Sequence, residues 1–405
     1  MHKPVLTIFY QYNPWRSSIG GIQTLISSFI KYAPDAFEVR LVGVGDERSG
    51  QVSVWQEAEL HGKKLQFFPL FALENDDVRH LVPTTVRYTA ALMRHCFASD
   101  FMHFHRIEPT LTTLRWSGDK TLFIHNDIRT QLLSQDNKRA ILWRRFPKAY
   151  FALEGFLVNQ FSCILSCNAE STQLYKELYP ALAERVTYYR NSVDTDIFYP
   201  LPATGREQQR QQLAQRLGLS EATRFILFAG RLHPQKDPLL LVRSLSALNQ
   251  PDVHLLIAGD GELAEAVSTE VEQLGLAKQV TMLGAVKQAE LADLHRLASL
   301  CLLTSAYEGL PLVVLEALAC GTPIITTRCG DIPVVLTSQS GIVCETRTPI
   351  AIATAIQSVL QQPSLYTSNA CVLAAQPYSA HEVMRHIYSD MWQRWQTQKP
   401  SSTSL

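Results

Sequence analysis

Short apolar runs alternate with amphipathic stretches along almost the whole chain, a pattern that predicts parallel strands connected by crossover helices. In the first half, PVLTIFY (residues 4–10) leads through a Gly-Gly turn to IQTLISSFIKYA (22–33), whose apolar residues recur at helical spacing. FEVRLVGV (37–44), LQFFPL (65–70), FMHFH (101–105), KTLFIH (120–125) and CILSC (163–167) are further predicted strands, each ending in polar or turn residues. In open sheets of this kind ligands bind beyond the carboxyl ends of the strands. Residues 192–206 lose all periodicity and gather proline, glycine and polar residues, so they predict a link between domains. After a polar helix over 208–219 a second series begins with RFILFAGRL (224–232), VHLLIAGDG (253–261) and QVTMLGAV (279–286). It continues with LCLLTSAY (300–307), TPIITT (322–327) and GIVC (341–344) and fades near residue 375. Helical spacing returns over 379–395, and the tail 398–405 is predicted to be disordered. Two doubly wound α/β halves joined by a linker are the simplest architecture.

Composition narrows the class. The chain has 405 residues, 46% of them apolar and 18% charged, which suits a globular protein of two or three domains. Its formal net charge is zero, so nothing in the balance calls for a nucleic-acid partner. The apolar run near the start, Val5–Phe9, is too short for a signal peptide, and no stretch approaches the ~18 apolar residues of a membrane span. A cytosolic chain is expected, with contact at a membrane surface left open. Cysteines stand at 96, 163, 167, 301, 320, 329, 344 and 371 without a CxxC pair, and several lie in apolar runs. They are expected to be reduced and structural.

The chemistry concentrates in the second half. FAGRLHPQKD places Arg231 and Lys236 just after an apolar strand, in a loop shaped by Gly230 and Pro234. Two cations at a strand end suit a diphosphate, although a solvated basic turn would read the same way. IAGDGELAEAV puts Gly259 and Gly261 between a strand and a helix, similar to the dinucleotide fingerprint. It lies deep in the chain, and no ribose-binding acid follows ~20 residues on, so a tight turn is favoured over a nicotinamide site. In SAYEGLPLVVLEALACGTPII, Glu308 and Glu316 are separated by seven residues, and Gly309 and Pro311 open a helix from Leu312 to Ala319. A carboxylate such as Glu316, mid-helix in an apolar segment, needs a hydrogen-bonding role. Two ribose hydroxyls would supply it. Asp194-Thr195-Asp196 spells a metal-binding DxD, but it falls in the linker. His103 and His105 alternate onto one face of a strand with no further zinc ligand evident, so strand-end hydrogen bonding is favoured.

Arg231, Lys236, Gly259-Asp260-Gly261, Glu308-x7-Glu316 and CGTPIITTRCGDIP together resemble the retaining GT-B glycosyltransferases of family 4, the group 1 type. Order and spacing agree over residues 224–345. SIGGIQTLI, the strand-end histidines of FMHFH and FIHND, and RNSVDTDIFYP are looser matches in the first half and linker. The resemblance implies two Rossmann-like domains facing across a cleft. Residues 1–192 would form the acceptor side and 193–379 the donor-binding side, with a helix over 380–397 packing back on the first domain.

The implied donor is a nucleotide diphosphate sugar, UDP-linked by preference, and the implied acceptor a saccharide or lipid-linked saccharide in polysaccharide or glycolipid assembly. Arg231 and Lys236 would hold the diphosphate, Glu316 the ribose, and Glu308 the neighbourhood of the sugar ring. The backbone of Gly309, Leu310, Leu312 and Val313 would contact sugar or phosphate, and Leu283 and Ala285 would border the base. Gly20 and Gly21 would close on the diphosphate, and His125 would lie near the reacting carbon. No cofactor or metal is implied. The basic, aromatic stretch 138–150, with Lys138, Arg139, Arg144, Arg145 and Lys148, suits a membrane surface or an ordinary solvated helix face. Two departures bear on sugar or acceptor choice: Val334 stands where an acid commonly follows the proline, and Gln23 follows the glycine pair. A nucleotide-sugar-binding protein without turnover, and a nicotinamide oxidoreductase resting on the GDGELAE turn, are the competing readings.

Overall fold

The computed structural model describes residues 2–15, 20–46, 50–73, 82–125 and 146–398. The chain divides into a first unit, Met1–Arg190 with His381–Leu405, and a second, Asn191–Ala380.

Eight strands build the sheet of the first unit: β1 (Val5–Phe9), β2 (Glu38–Gly45), β3 (Gln56–Leu60), β4 (Lys63–Ala72), β5 (Phe101–Phe104), β6 (Asp119–Ile124), β7 (Cys163–Ser166) and β8 (Val186–Tyr188). Their spatial order is β3-β4-β2-β1-β5-β6-β7-β8. All pairs are parallel except β3 with β4. That antiparallel edge departs from the all-parallel expectation. Its cause is local: His61 and Gly62 both adopt positive φ (52° and 75°), the geometry of a two-residue hairpin turn.

The central strands are buried on both faces, so alternate residues feed two cores. Leu6, Ile8 and Leu41 pack with Phe29 of the helix Gly21–Lys31, while Phe9, Val42 and Phe104 pack on the opposite side. The last helix, Ala380–Gln398, joins the first of these cores through Val383, Met384, Tyr388 and Met391. Tyr388 Oη donates to the Phe29 carbonyl at 2.8 Å, and Arg394 forms an ion pair with buried Asp119.

The second unit holds six parallel strands: β9 (Arg224–Ala229), β10 (Val253–Ala258), β11 (Val280–Gly284), β12 (Leu300–Leu303), β13 (Ile324–Thr327) and β14 (Gly341–Cys344). Their order, β11-β10-β9-β12-β13-β14, is the doubly wound 3-2-1-4-5-6 arrangement, and it reverses between β9 and β12. Phe225 and Leu227 pack with the helix Leu312–Ala319, whereas Ile226 and Phe228 pack with the helices Pro238–Leu248 and Pro349–Gln361. The polar helix begins earlier than expected, at Ala203, because Pro202 caps a segment whose polar residues read as linker. The segments entering and leaving this unit are tied together: Val193 N donates to Tyr378 O at 2.9 Å and Ala380 N to Val193 O at 2.8 Å. All eight cysteines are free thiols, six of them buried. Among the described residues no helix is long and apolar enough to cross a membrane.

Candidate functional site

In the second unit the sheet order reverses between β9 and β12, and in open sheets of this kind ligands bind outside the carboxyl ends of the strands at that reversal. The loop after β9 runs from Gly230 through a short 3-10 turn, Pro234–Lys236, to Asp237. Asp237 takes a left-handed conformation and caps the helix Pro238–Leu248 with its side chain. This loop is stitched to the one after β12. Thr304 Oγ1 donates to the carbonyls of Lys236 and Asp237, each at 2.9 Å, and Ala306 N to Gln235 O at 2.8 Å. Gln235 Nε2 returns a hydrogen bond to Tyr307 O at 3.0 Å.

The result is that Lys236 and Glu308 meet. Lys236 Nζ pairs with Glu308 Oε1, which also accepts from Ser305 Oγ at 2.7 Å. Arg231, on the same loop, is exposed and has no ion pair among the described residues. A third loop, after β13, closes on the second: Thr327 Oγ1 donates to Ser305 O at 2.6 Å and Asp331 N to Gly309 O at 3.0 Å. Gly330 makes this approach possible, since a Cβ there would lie 2.0 Å from Gly309 O.

The glycines of the GDG turn have a similar explanation. A Cβ on Gly259 would lie 1.9 Å from Gly230 O, and one on Gly261 would lie 2.5 Å from Leu232 O. They let the loops after β9 and β10 touch backbone to backbone, and β10 is the second strand of its unit, not the first. The fingerprint therefore serves packing here. Gly259 N also donates to Gly284 O at 2.7 Å, which joins Leu283 and Ala285 to the same rim.

Glu316 projects from the helix Leu312–Ala319, whose start Pro311 fixes. Only 9% of the residue is exposed, and its carboxylate accepts no hydrogen bond from the described residues. Burial pushes its pKa up to about 7. The nearest polar group is His295 on the helix Gln288–Leu297, with Nε2 4.0 Å from Glu316 Oε2. Of the backbone candidates, Leu310 and Val313 are buried, while Gly309 and Leu312 are half-buried. Val334, the departure noted in the sequence, is 81% exposed. Asp194 of the DxD is buried, and its Oδ1 accepts from Asp196 N at 3.0 Å in a turn of the linker.

The first unit holds the remaining candidates. His125 follows β6, and its Nε2 shares a hydrogen bond of 2.9 Å with His105 Nδ1, the two rings stacked at 5.1 Å. Burial and the nearby Arg106 cation lower the His125 pKa to about 3. His103 is buried between Phe29 and Phe123, and its Nδ1 has no partner among the described residues, so ring packing takes the place of the expected strand-end hydrogen bond there. Among the described residues no cluster could hold a metal ion. Gly20 stands at the N-cap of the helix that opens with Gly21. Lys138, Arg139, Arg144 and Arg145 of the basic stretch lie outside the described residues, as does the tail beyond Gln398; Phe146 and Lys148 are exposed and Tyr150 is buried.

Residues 209–371, the heart of this second unit, match the family described as glycosyl transferases, group 1. The match takes in all six strands of the second unit. A D-inositol 3-phosphate glycosyltransferase of Segniliparus rotundus is 29% identical over 217 residues, which is 52% of this chain and 47% of that protein. The chain thus spans about half the length of the curated relatives it matches. Solved structures extend the likeness to both units. A sucrose-phosphate synthase from Thermosynechococcus elongatus superposes with a TM-score of 0.78 at 16% identity, covering 98% of this chain and all of that one. The Anabaena protein HepE in complex with UDP and glucose gives a TM-score of 0.72 at 17% identity over 96% of this chain and 100% of that one. At such identities the likeness is one of fold, and the fold is GT-B, with two Rossmann-like units.

Several residues of the candidate site were not singled out from sequence. Gln235 and Ser305 position Glu308, and both lie inside motifs already in view. Asn191 Nδ2 donates to Leu310 O at 2.9 Å, which ties the linker to the Glu308 loop. His295 left no sequence signal, because a single histidine in the mixed segment QAELADLHRL does not announce its burial.

Proposed function

We propose that this chain is a glycosyltransferase that moves a sugar from a nucleotide diphosphate, UDP by preference, to a saccharide or lipid-linked acceptor. The observation that carries this reading is Glu316: a buried carboxylate with no hydrogen-bond donor among the described residues, on the helix after β12. Such a group is costly unless a ligand supplies hydrogen bonds, and a ribose diol supplies two.

In this reading Arg231 and Lys236 meet the diphosphate, and Lys236 exchanges part of its pairing with Glu308 for phosphate oxygens. As the bond between the anomeric carbon and the phosphate oxygen breaks, negative charge grows on the diphosphate, and the two cations stabilise it. They supply the positive charge that a divalent ion supplies elsewhere, so transfer is proposed to need no metal. Glu308, held by Ser305 and Gln235, lies where sugar hydroxyls would sit, with the Gly309, Leu310, Leu312 and Val313 backbone beside it. Leu283 and Ala285 border the base, and Gly20 and Gly21 offer backbone to the diphosphate. The acceptor oxygen forms its bond on the face the phosphate leaves, so configuration is retained, and its proton passes to the departing phosphate oxygen.

A histidine whose pKa is lowered to about 3 is a weak base at neutral pH. His125 is therefore assigned a hydrogen bond from Nδ1 to a sugar hydroxyl rather than a proton-transfer step. Assembly of a polysaccharide or glycolipid at the cytoplasmic face of a membrane is the setting this reading fits, with residues 138–150 as the surface contact.

Thermal-shift titration against UDP, GDP, ADP and their sugars tests the donor site. One nucleotide at millimolar concentration should raise the melting temperature, and Arg231→Ala and Glu316→Ala should each abolish the shift. A wild-type protein that no nucleoside diphosphate stabilises would leave the site without its donor and overturn the reading.

A further inference from the structure

We propose that His295 is the positioning residue for Glu316: its neutral ring donates from Nε2 to the carboxylate and holds it ionised and aimed at the ribose hydroxyls. This rests on the nucleotide-diphosphate reading above and deepens it.

His295 is fully buried, and neither ring nitrogen has a hydrogen-bond partner among the described residues. Orphaned polar atoms at such depth are uncommon in a folded chain and call for an explanation. Phe198 packs edge-on against the ring at 6.2 Å, and Thr322 Oγ1 fixes the backbone beneath it by donating to the His295 carbonyl at 2.5 Å. Its Nε2 stands 4.0 Å from Glu316 Oε2, about one ångström beyond a hydrogen bond, and Glu316 has no other donor among the described residues. Two groups without a hydrogen-bond partner among the described residues thus lie 4.0 Å apart.

The surrounding charges decide which of them carries the proton. On the same helix Arg296 lies next in sequence, its guanidinium bound to Tyr199 O at 2.9 Å, to Asp293 at 2.6 Å and to Ile197 O. That cation and burial oppose a second positive charge, and they lower the His295 pKa to about 3. Cys301 of β12 and Cys320, at the end of the Glu316 helix, face the carboxylate, and both thiols are pushed up, mainly by burial, so they remain neutral. A neutral imidazole with hydrogen on Nε2 is then the available donor to Glu316. Its loss would make ionisation of the carboxylate harder.

Isothermal titration of the full-length protein with UDP between pH 5.5 and 8.5 reads this directly. Wild-type affinity should fall as pH drops through about 7, where Glu316 takes up its proton. His295→Phe should move that midpoint up by a unit or more, and a one-unit rise makes binding at pH 7 about fivefold weaker. His295→Gln, which keeps an N–H donor, should stay close to wild type. In the wild-type protein, histidine-selective 15N NMR should show a neutral His295 with hydrogen on Nε2, a readout that survives if the Phe variant does not fold. A Phe variant with the wild-type midpoint, or a ring with its hydrogen on Nδ1, overturns the assignment to His295 and leaves the donor site standing. A wild-type protein that binds no nucleoside diphosphate at any pH overturns the donor reading itself.

Discussion

At Glu316 folding leaves a group less satisfied than it is in water, and the cost is measurable. Its pKa is raised from about 4.5 to about 7, so the folded chain holds a proton that the unfolded chain has released. Stability attached to this group is complete below pH 4.5 and is lost as pH rises through 7. The loss amounts to at most about 3 kcal/mol above that window. Glu316→Gln should therefore raise the unfolding free energy at pH 8 by up to about 3 kcal/mol and change it little at pH 4.5, where the native side chain is already neutral. Urea melts at the two pH values give the difference; equal gains at both would mean that burial of the charge is not the cause. The same substitution should weaken UDP binding, because the amide offers the diol one acceptor and a donor in place of an anion. Glu316 was legible in the sequence because a lone carboxylate in VVLEALAC has no local reason to exist. His295 was not, because its burial depends on Phe198, Thr322 and the neighbouring helix, which only the tertiary fold brings together.

At the scale of elements, the site depends on three loops that converge at the carboxyl ends of β9, β12 and β13. Most parallel strands were plain in the sequence as continuous apolar runs, whereas the three-residue edge strand β8, with Thr187 and Tyr188 exposed, was not. The β3–β4 hairpin was less visible: QEAEL is polar and its turn, His61-Gly62, lacks the usual asparagine or aspartate. The stitching between loops was equally hidden, because it is made of backbone groups and short side chains. Gly330 exposes this dependence. Its φ is +50°, and an added Cβ would lie 2.0 Å from Gly309 O and 2.3 Å from Glu308 O. Gly330→Ala should cost about 1–3 kcal/mol in stability. It should also displace the Glu308 loop, so UDP affinity falls along with the melting temperature. Gly205, on the exposed polar helix, has open space at its Cβ position, and Gly205→Ala is the control that should lose neither.

At the scale of the whole molecule, the chain leaves the first unit near Arg190 and returns to it with the helix from Ala380. The helix was predictable from the spacing of apolar residues over 379–395, and its return from the family resemblance; the charge that fastens it was predictable from neither. Asp119 opens β6 in a buried position, and Arg394, some 275 residues later, supplies its counter-charge. Burial raises the Asp119 pKa, and the guanidinium opposes that rise. The net worth of such a pair can be small, because desolvation offsets attraction, yet removing one partner leaves a buried charge unpaired. Arg394→Met keeps an apolar stem and removes the charged guanidinium, which lies over the Phe101 ring at 5.5 Å. It should cost about 3–5 kcal/mol at pH 7, measured by denaturant unfolding. The penalty should shrink toward pH 4, where Asp119 can accept a proton. Adding Asp119→Asn to Arg394→Met should recover most of the lost stability, since no charge then remains to be buried. If the double variant is no more stable than the single, the last helix is held by Tyr388, Met384 and Met391 alone, and the ion pair sets register without holding the chain's two crossings together.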